Sequence, residues 1–186
     1  MTKLKFTTAL PGIMLAAAAV AGCSSSVSGA PAPEPNATAS SNASPSSSNP
    51  FGSLNQCTLL DQILAGQGYS AAHPTVADPK RSCRADKSFS DGGTRLGLDV
   101  VISLQDGQKY TDDIANPQQA RSGKITGRPF IEQRDPLGVP GGCQIGMAVG
   151  SNARALVIVS TGTDSDAACK TTEEVASSLE PKLPKN

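Results

Sequence analysis

The sequence predicts an α+β domain, a mainly antiparallel sheet with helices packed on it, carried behind an export leader and a low-complexity stalk. Three observations predict it. Apolar residues alternate at a period of two through Leu96, Leu98, Val100, Ile102 and Leu104, and again through Cys143, Ile145, Met147 and Val149, as half-buried strands require. Leu59, Leu60, Ile63 and Leu64, and later Val175, Ala176 and Leu179, recur at helical spacing. The segments run helix, two strands, helix, three strands, helix, which suits helices layered on one sheet.

Residues 1–22 read as a lipoprotein signal peptide. Lys3 and Lys5 make a positive start, and 6–20 carry no charge. That run is too short to span a bilayer, which takes roughly 20 apolar residues. It ends in Val20-Ala21-Gly22-Cys23, which matches the lipobox of bacterial lipoproteins, where the cysteine thiol receives a diacylglyceryl group and becomes the new N-terminus. One acyl chain holds a membrane only marginally, whereas two or three hold stably. The expected partner of the mature chain is thus the membrane itself, through Cys23, on its extracytoplasmic face. Residues 23–50 are almost entirely serine, alanine, proline, asparagine and glycine, with Glu34 the one acid, so they are expected to form a disordered stalk. Its Asn36-Ala37-Thr38 and Asn42-Ala43-Ser44 match a glycosylation sequon, which carries little weight in a bacterium.

Composition narrows the function. The full chain carries 16 basic and 16 acidic residues, and loss of the leader removes two of the lysines. A balance this close to neutral is no electrostatic footprint for nucleic acid. Tryptophan is absent and aromatics make up 3% of the chain, so large side chains for a core are few and covalent staples would help. With Cys23 committed to lipid, Cys57, Cys83, Cys143 and Cys169 remain in an exported domain, where disulfides are favoured. Four cysteines allow three pairings, between which sequence alone does not choose. Cys57 with Cys83 and Cys143 with Cys169 is preferred, because each pair would join a helix start to a strand nearby in the chain. Zinc is disfavoured by the lack of any Cys-x-x-Cys spacing, and no cofactor or metal is expected.

The folded domain is expected over 51–186. Thr58 and Asp61 resemble a capping box opening the first helix, and Gly66 and Gly68 close it. Residues 69–80, with His73-Pro74 and Asp78-Pro79, read as an irregular loop. A strand follows over 81–89, then the turn signal Asp91-Gly92-Gly93 and the long strand through Leu104, ended by Asp106-Gly107. A short helix is expected over 108–115, with Tyr110 and Ile114 on one side and Asn116-Pro117 closing it. Residues 124–134 read as one strand, with Pro129 at an edge or bulge. Pro136 to Gly142 make a loop, and the runs 143–149 and 155–159 make a hairpin in the middle of the sheet, turned at Asn152. Asp164, Ser165 or Asp166 would cap the last helix, which Pro181 and Pro184 end.

Cys57-Thr58-Leu59-Leu60 at the first helix, Cys83 in the next strand, Gly127-Arg128 in mid-domain, Cys143 in a strand and Cys169 at the final helix follow in an order met elsewhere. With the lipobox and the stalk, this order resembles a family of actinobacterial, mycobacterial-type cell-envelope lipoproteins built on a domain of unknown function, DUF 3558. The resemblance implies an exported, lipid-anchored domain with two disulfides and no established catalytic residues. Members often carry an aromatic two residues after the second cysteine, where this chain has Ala85. The strand order also resembles PsbP-like αβα sandwiches, a likeness of fold that carries no function.

Reactive candidates are few. His73 is the one histidine, it sits beside a proline, and no Gly-x-Ser-x-Gly supplies a nucleophile elbow. Asp112-Asp113 and Glu173-Glu174 read as solvated helix faces rather than a glycosidase pair. Arg128, Phe130 and Arg134 mix cation and aromatic as a partner contact would, although proline and arginine also blunt edge strands. No catalytic residue is expected. The leading expectation is a non-enzymatic binding module for an unknown envelope protein or amphipathic ligand. The alternative is a carrier holding a lipid or small apolar ligand in a cavity lined by Leu98, Val100, Ile102, Met147 and Val157.

Overall fold

The computed structural model describes residues 49–88 and 97–185. The chain divides into two units, 1–42 and 43–186, and every described residue belongs to the second. The leader, Cys23, the stalk to residue 48, the Asp91-Gly92-Gly93 turn and Leu96 lie outside the described residues. Two residues into the described chain, Phe51 is already buried in the core.

Helix α1 (Gln56–Leu64) buries Leu59, Leu60, Ile63 and Leu64, as their spacing predicts. Its cap differs from expectation. The Asn55 side chain, one turn before Thr58 and Asp61, accepts from the Thr58 N–H at 3.0 Å, while Asp61 accepts from the Ala72 N–H at 2.7 Å. The expected loop after α1 contains a two-residue strand, β1 (His73–Pro74), at the sheet edge where a proline is tolerated. Strands β2 (Ser82–Lys87), β3 (Leu98–Asp106), β4 (Arg121–Ile125), β5 (Arg128–Arg134), β6 (Gly142–Val149) and β7 (Ala153–Ser160) complete one antiparallel sheet in the order β1-β2-β3-β7-β6-β5-β4. The β6–β7 hairpin sits in mid-sheet, as expected. Helix α2 (Ser165–Leu179) follows, capped by Asp164, whose side chain accepts from the Ala167 N–H at 3.0 Å. A 3-10 turn over Glu180–Lys182 continues it, with Pro181 inside.

Two expected elements take other forms. The single strand over 124–134 is a hairpin: β4 and β5 meet at Thr126-Gly127, both in the left-handed region at φ 49° and 91°. Such a two-residue turn matches the twist of paired strands. Pro129 stands inside β5 but before pairing with β6 begins at Phe130, so its missing N–H breaks no bond on that side. The helix expected over 108–115 is a series of turns crossing the sheet. Its carbonyls are claimed elsewhere: Arg154, 5% exposed, takes the Asp112 carbonyl at 2.6 Å and the Lys109 carbonyl at 3.4 Å, and also binds Gln105, Gln108 and Asp113. The segment closes with an i+3 rather than an i+4 bond: the Lys109 carbonyl accepts from the Asp112 N–H at 3.0 Å as well as from Arg154.

Register decides what the helices cover. Cys83, Ile102, Val157, Ile145 and Glu132 are successive cross-strand partners in one row, and Ala85, Val100, Val159, Cys143 and Arg134 in the next. Both helices lie on this face, α1 on β2 and β3, α2 on β6 and β7, touching each other. Among the described residues the layers are two, helix on sheet, rather than the three of an αβα sandwich. Cys57 bridges Cys83 and Cys143 bridges Cys169, with Cα separations of 5.1 and 4.9 Å, so each helix is bonded to a strand beneath it.

Each bridge spans 26 residues and contributes about 3.5 kcal/mol by the chain-entropy relation, less any native strain. Replacing Cys143 and Cys169 together by serine is expected to lower the unfolding free energy by about 2–4 kcal/mol in urea titration. Thiol titration of the exported chain under non-reducing conditions should return no free thiol; two would remove one staple and four would remove both.

Candidate functional site

The β5–β6 loop, residues 135–141, is the most elaborately built loop of the described domain. Asp135 turns the chain at φ 48° and ties the base: its N–H donates to the Gly142 carbonyl at 2.9 Å, and its carboxylate accepts from the Gly142 N–H at 3.2 Å. Ser165, at the start of α2, donates to the same carboxylate at 2.7 Å and accepts from the Gly141 N–H at 2.8 Å. Gly141 packs so tightly on the Gly162–Thr163 peptide that any Cβ there would overlap it. The three residues considered for capping α2 thus divide the work. Asp164 caps, Ser165 anchors the loop, and Asp166 pairs with Arg134. That hydrogen bond holds the Asp166 carboxyl below its usual range.

The base is rigid, and the tip is apolar and open. Leu137 is 87% exposed and Val139 62%, framed by Pro136 and Pro140. Scattered exposed apolar residues are ordinary, but two on the tip of one anchored loop form a patch. Beside it lies a cleft of about 750 Å3, lined by Pro136, Leu137 and Pro140 of the loop, by Gln133 of β5, and by Asn116 and Gln119 of the segment that Arg154 pins to the sheet.

The residues singled out in sequence land in different environments. Arg128 and Arg134 share the helix-facing side of β5 with Phe130, but Arg128 is 5% exposed, its guanidinium donating to Ala148 O at 2.7 Å, Pro184 O at 2.8 Å and Glu180 at 3.2 Å. Phe130 belongs to the core, its ring against Gly123. Arg134 alone keeps a half-exposed side chain, paired with Asp166 and Asp135. Val100, Ile102, Met147 and Val157 are fully buried in the packed core, with Leu98 half-buried at its margin. His73 is exposed on β1. Glu173 pairs with Arg121, which also binds Glu132 at 2.8 Å. Glu132 and the sulfurs of Cys143 and Cys169 lie within 4.8 Å of one another, but bridged sulfurs offer no thiolate to a metal.

The loop patch and Arg154 escaped sequence reasoning in different ways. Leu137 and Val139 lie between prolines and glycines with no periodicity, so only loop composition marked the segment. Arg154 could have been noticed as a cation inside a central hairpin, a position that demands partners.

On the sheet face away from the helices, Asp86 and Asp99 stand directly opposite each other on β2 and β3. Arg84 Nε lies 2.9 Å from Asp99 Oδ1, yet that oxygen is buried without a directed hydrogen bond. Burial raises the Asp99 carboxyl above its ordinary value; Arg84 and His73 pull it back, and Asp86 adds to the rise.

Comparison with known proteins returns one family model, described as protein of unknown function (DUF3558), which matches residues 18–182. No curated protein and no solved structure matches.

Because the folded state holds the Asp99 proton more tightly than the unfolded chain does, protonation favours the fold. The stability this group supplies is present below its unfolded value near 3.8 and is lost as pH rises through its folded value. Asp99→Asn should therefore raise the melting temperature at pH 7, and the gain should shrink as pH falls toward about 4. A drop at pH 7 would make the Arg84 pair the dominant contact.

Proposed function

Since the chain belongs to the DUF3558 family, we propose that it is a non-enzymatic lipoprotein of an actinobacterial-type cell envelope. In this reading Cys23 carries the lipid, the chain stands at the extracytoplasmic face of the cell membrane, and its stapled domain binds another envelope component through the β5–β6 loop. The observation that carries the reading is the anchored loop itself, with Leu137 and Val139 exposed beside a cleft. A patch that a monomer leaves in water, on a base it holds rigid, is what a partner surface needs, because little ordering remains to be done on binding.

No helix among the described residues is long and apolar enough to cross a membrane, so the reading assigns attachment to the acylated cysteine.

The carrier alternative, with a lipid or other small apolar ligand between sheet and helices, requires space where Val100, Ile102, Met147 and Val157 are each 0% exposed. That filled core favours the interaction module. For Arg128 and Phe130 the reading assigns support of the domain, and for Arg134 a contact at the rim of the cleft.

Cys23→Ala should release the protein from the membrane fraction or block its processing; fractionation identical to the parent would end the lipobox reading. A photo-cross-linking residue at position 137 should give a discrete adduct in intact cells, and one at Val76, equally exposed beyond the opposite sheet edge, should not. Absence of an adduct at 137, or the same adduct at both, would refute the loop as the partner surface.

A further inference from the structure

The cleft behind the loop offers a hydrogen-bonding group that the domain leaves idle. Gln133 is 4% exposed, and its Oε1 accepts from Gln144 Nε2 at 3.2 Å. Its own Nε2 donates to no partner among the described residues, and the side chain forms part of the cleft lining. The side chain is mostly buried, but its Nε2 still meets solvent in the cleft, where an acceptor that enters can take the place of water.

The other groups narrow what enters. Asn116 and Gln119 bring further carboxamides to the lining, and Pro136, Leu137 and Pro140 supply apolar surface. The charges at the rim are already engaged, Arg134 by Asp166 and Asp135 by Ser165 and the Gly142 N–H. An ionic ligand would find no unpaired charge to answer it there. An acyl chain would strip water from three carboxamides without replacing their hydrogen bonds. A sugar would find no aromatic ring among the cleft residues on which to stack. A peptide backbone presents carbonyl and N–H groups in alternation, which carboxamides pair with from either side, and its side chains alternate faces so that every second one can lie on an apolar wall.

We propose that this cleft binds an extended, uncharged segment of a partner protein, with Gln133 donating to a backbone carbonyl and an apolar side chain of the segment packing on Leu137 and Pro136. The assignment rests on the reading of the loop as the partner surface and specifies what that surface recognises. Recognition then runs through main-chain hydrogen bonds for affinity and through one or two apolar positions for selectivity.

The test is selection of a random 12-residue peptide library on the mature chain, followed by titration of an enriched peptide. Enriched sequences should be uncharged with apolar residues at alternate positions, and the side-chain amide resonances of Gln133 should shift on binding. Gln133→Leu should weaken binding at least tenfold and Leu137→Ser at least fivefold, with melting temperatures within about 2 °C of the parent in both. Failure to enrich any peptide, equal affinity in Gln133→Leu, or a Gln133 shift caused by neutral oligosaccharides and by no peptide would each overturn the assignment. If position 137 still cross-links to a protein in cells when selection fails, the partner surface survives and only the extended-segment chemistry falls.

Discussion

Small side chains set the terms on which this domain folds. The helix-facing side of the sheet is built largely of Ala85, Ala153, Ala155, Val100, Val157 and Val159, with Phe51 and Phe130 the aromatic members of the core. Each such residue buries little area, so the apolar stabilisation per residue is modest, at about 25 cal/mol per Å2. Short side chains also let the helices approach closely, and the disulfides exploit that closeness. A bridge from each helix to the strand beneath it replaces part of what a larger core would supply, and it fixes the position of each helix over the sheet.

Buried arginines do a second part of the same work. A guanidinium has five N–H donors and is costly to remove from water, so burial is tolerable only where partners are nearly complete. Arg128 gathers Ala148, Glu180 and Pro184 and thereby closes the chain's C-terminal end onto β5 and β6. Arg154 gathers five groups from β3 and the segment that follows it. Neither role adds apolar area. Each converts a length of chain without periodic structure into a fixed part of the surface.

What the amino-acid pattern revealed follows from which forces are local. The periods of α1, β3 and β6 were legible because apolar residues recur at the spacing of each element, β7 because it is a continuous apolar run, and the preferred sulfur pairing followed from helix starts lying near strands in the chain. The 108–115 helix misled because Tyr110 and Ile114 satisfy a local spacing, while Arg154, some forty residues along the chain, ties the segment to the sheet as turns. The β4–β5 turn was missed because Thr126-Gly127 lacks the usual Asn-Gly signature. Arg128 looked like surface chemistry because the groups that bury it, Ala148, Glu180 and Pro184, lie far along the chain, and Phe130 because its strand was read as an edge. Leu137 and Val139 carry no periodic signal, so a candidate site built on them becomes visible only when exposure is known.

The wall of the cleft that carries Asn116 and Gln119 is fastened to the sheet upstream, at Lys109 and Asp112, and rejoins it only at β4. The stretch between those moorings can change length or sequence without disturbing a strand, a helix or a bridge. Insertions there would widen or reshape the groove while folding proceeds as before. A scaffold arranged this way lets specificity drift independently of foldability, so chains that share its core could diverge freely in what they hold.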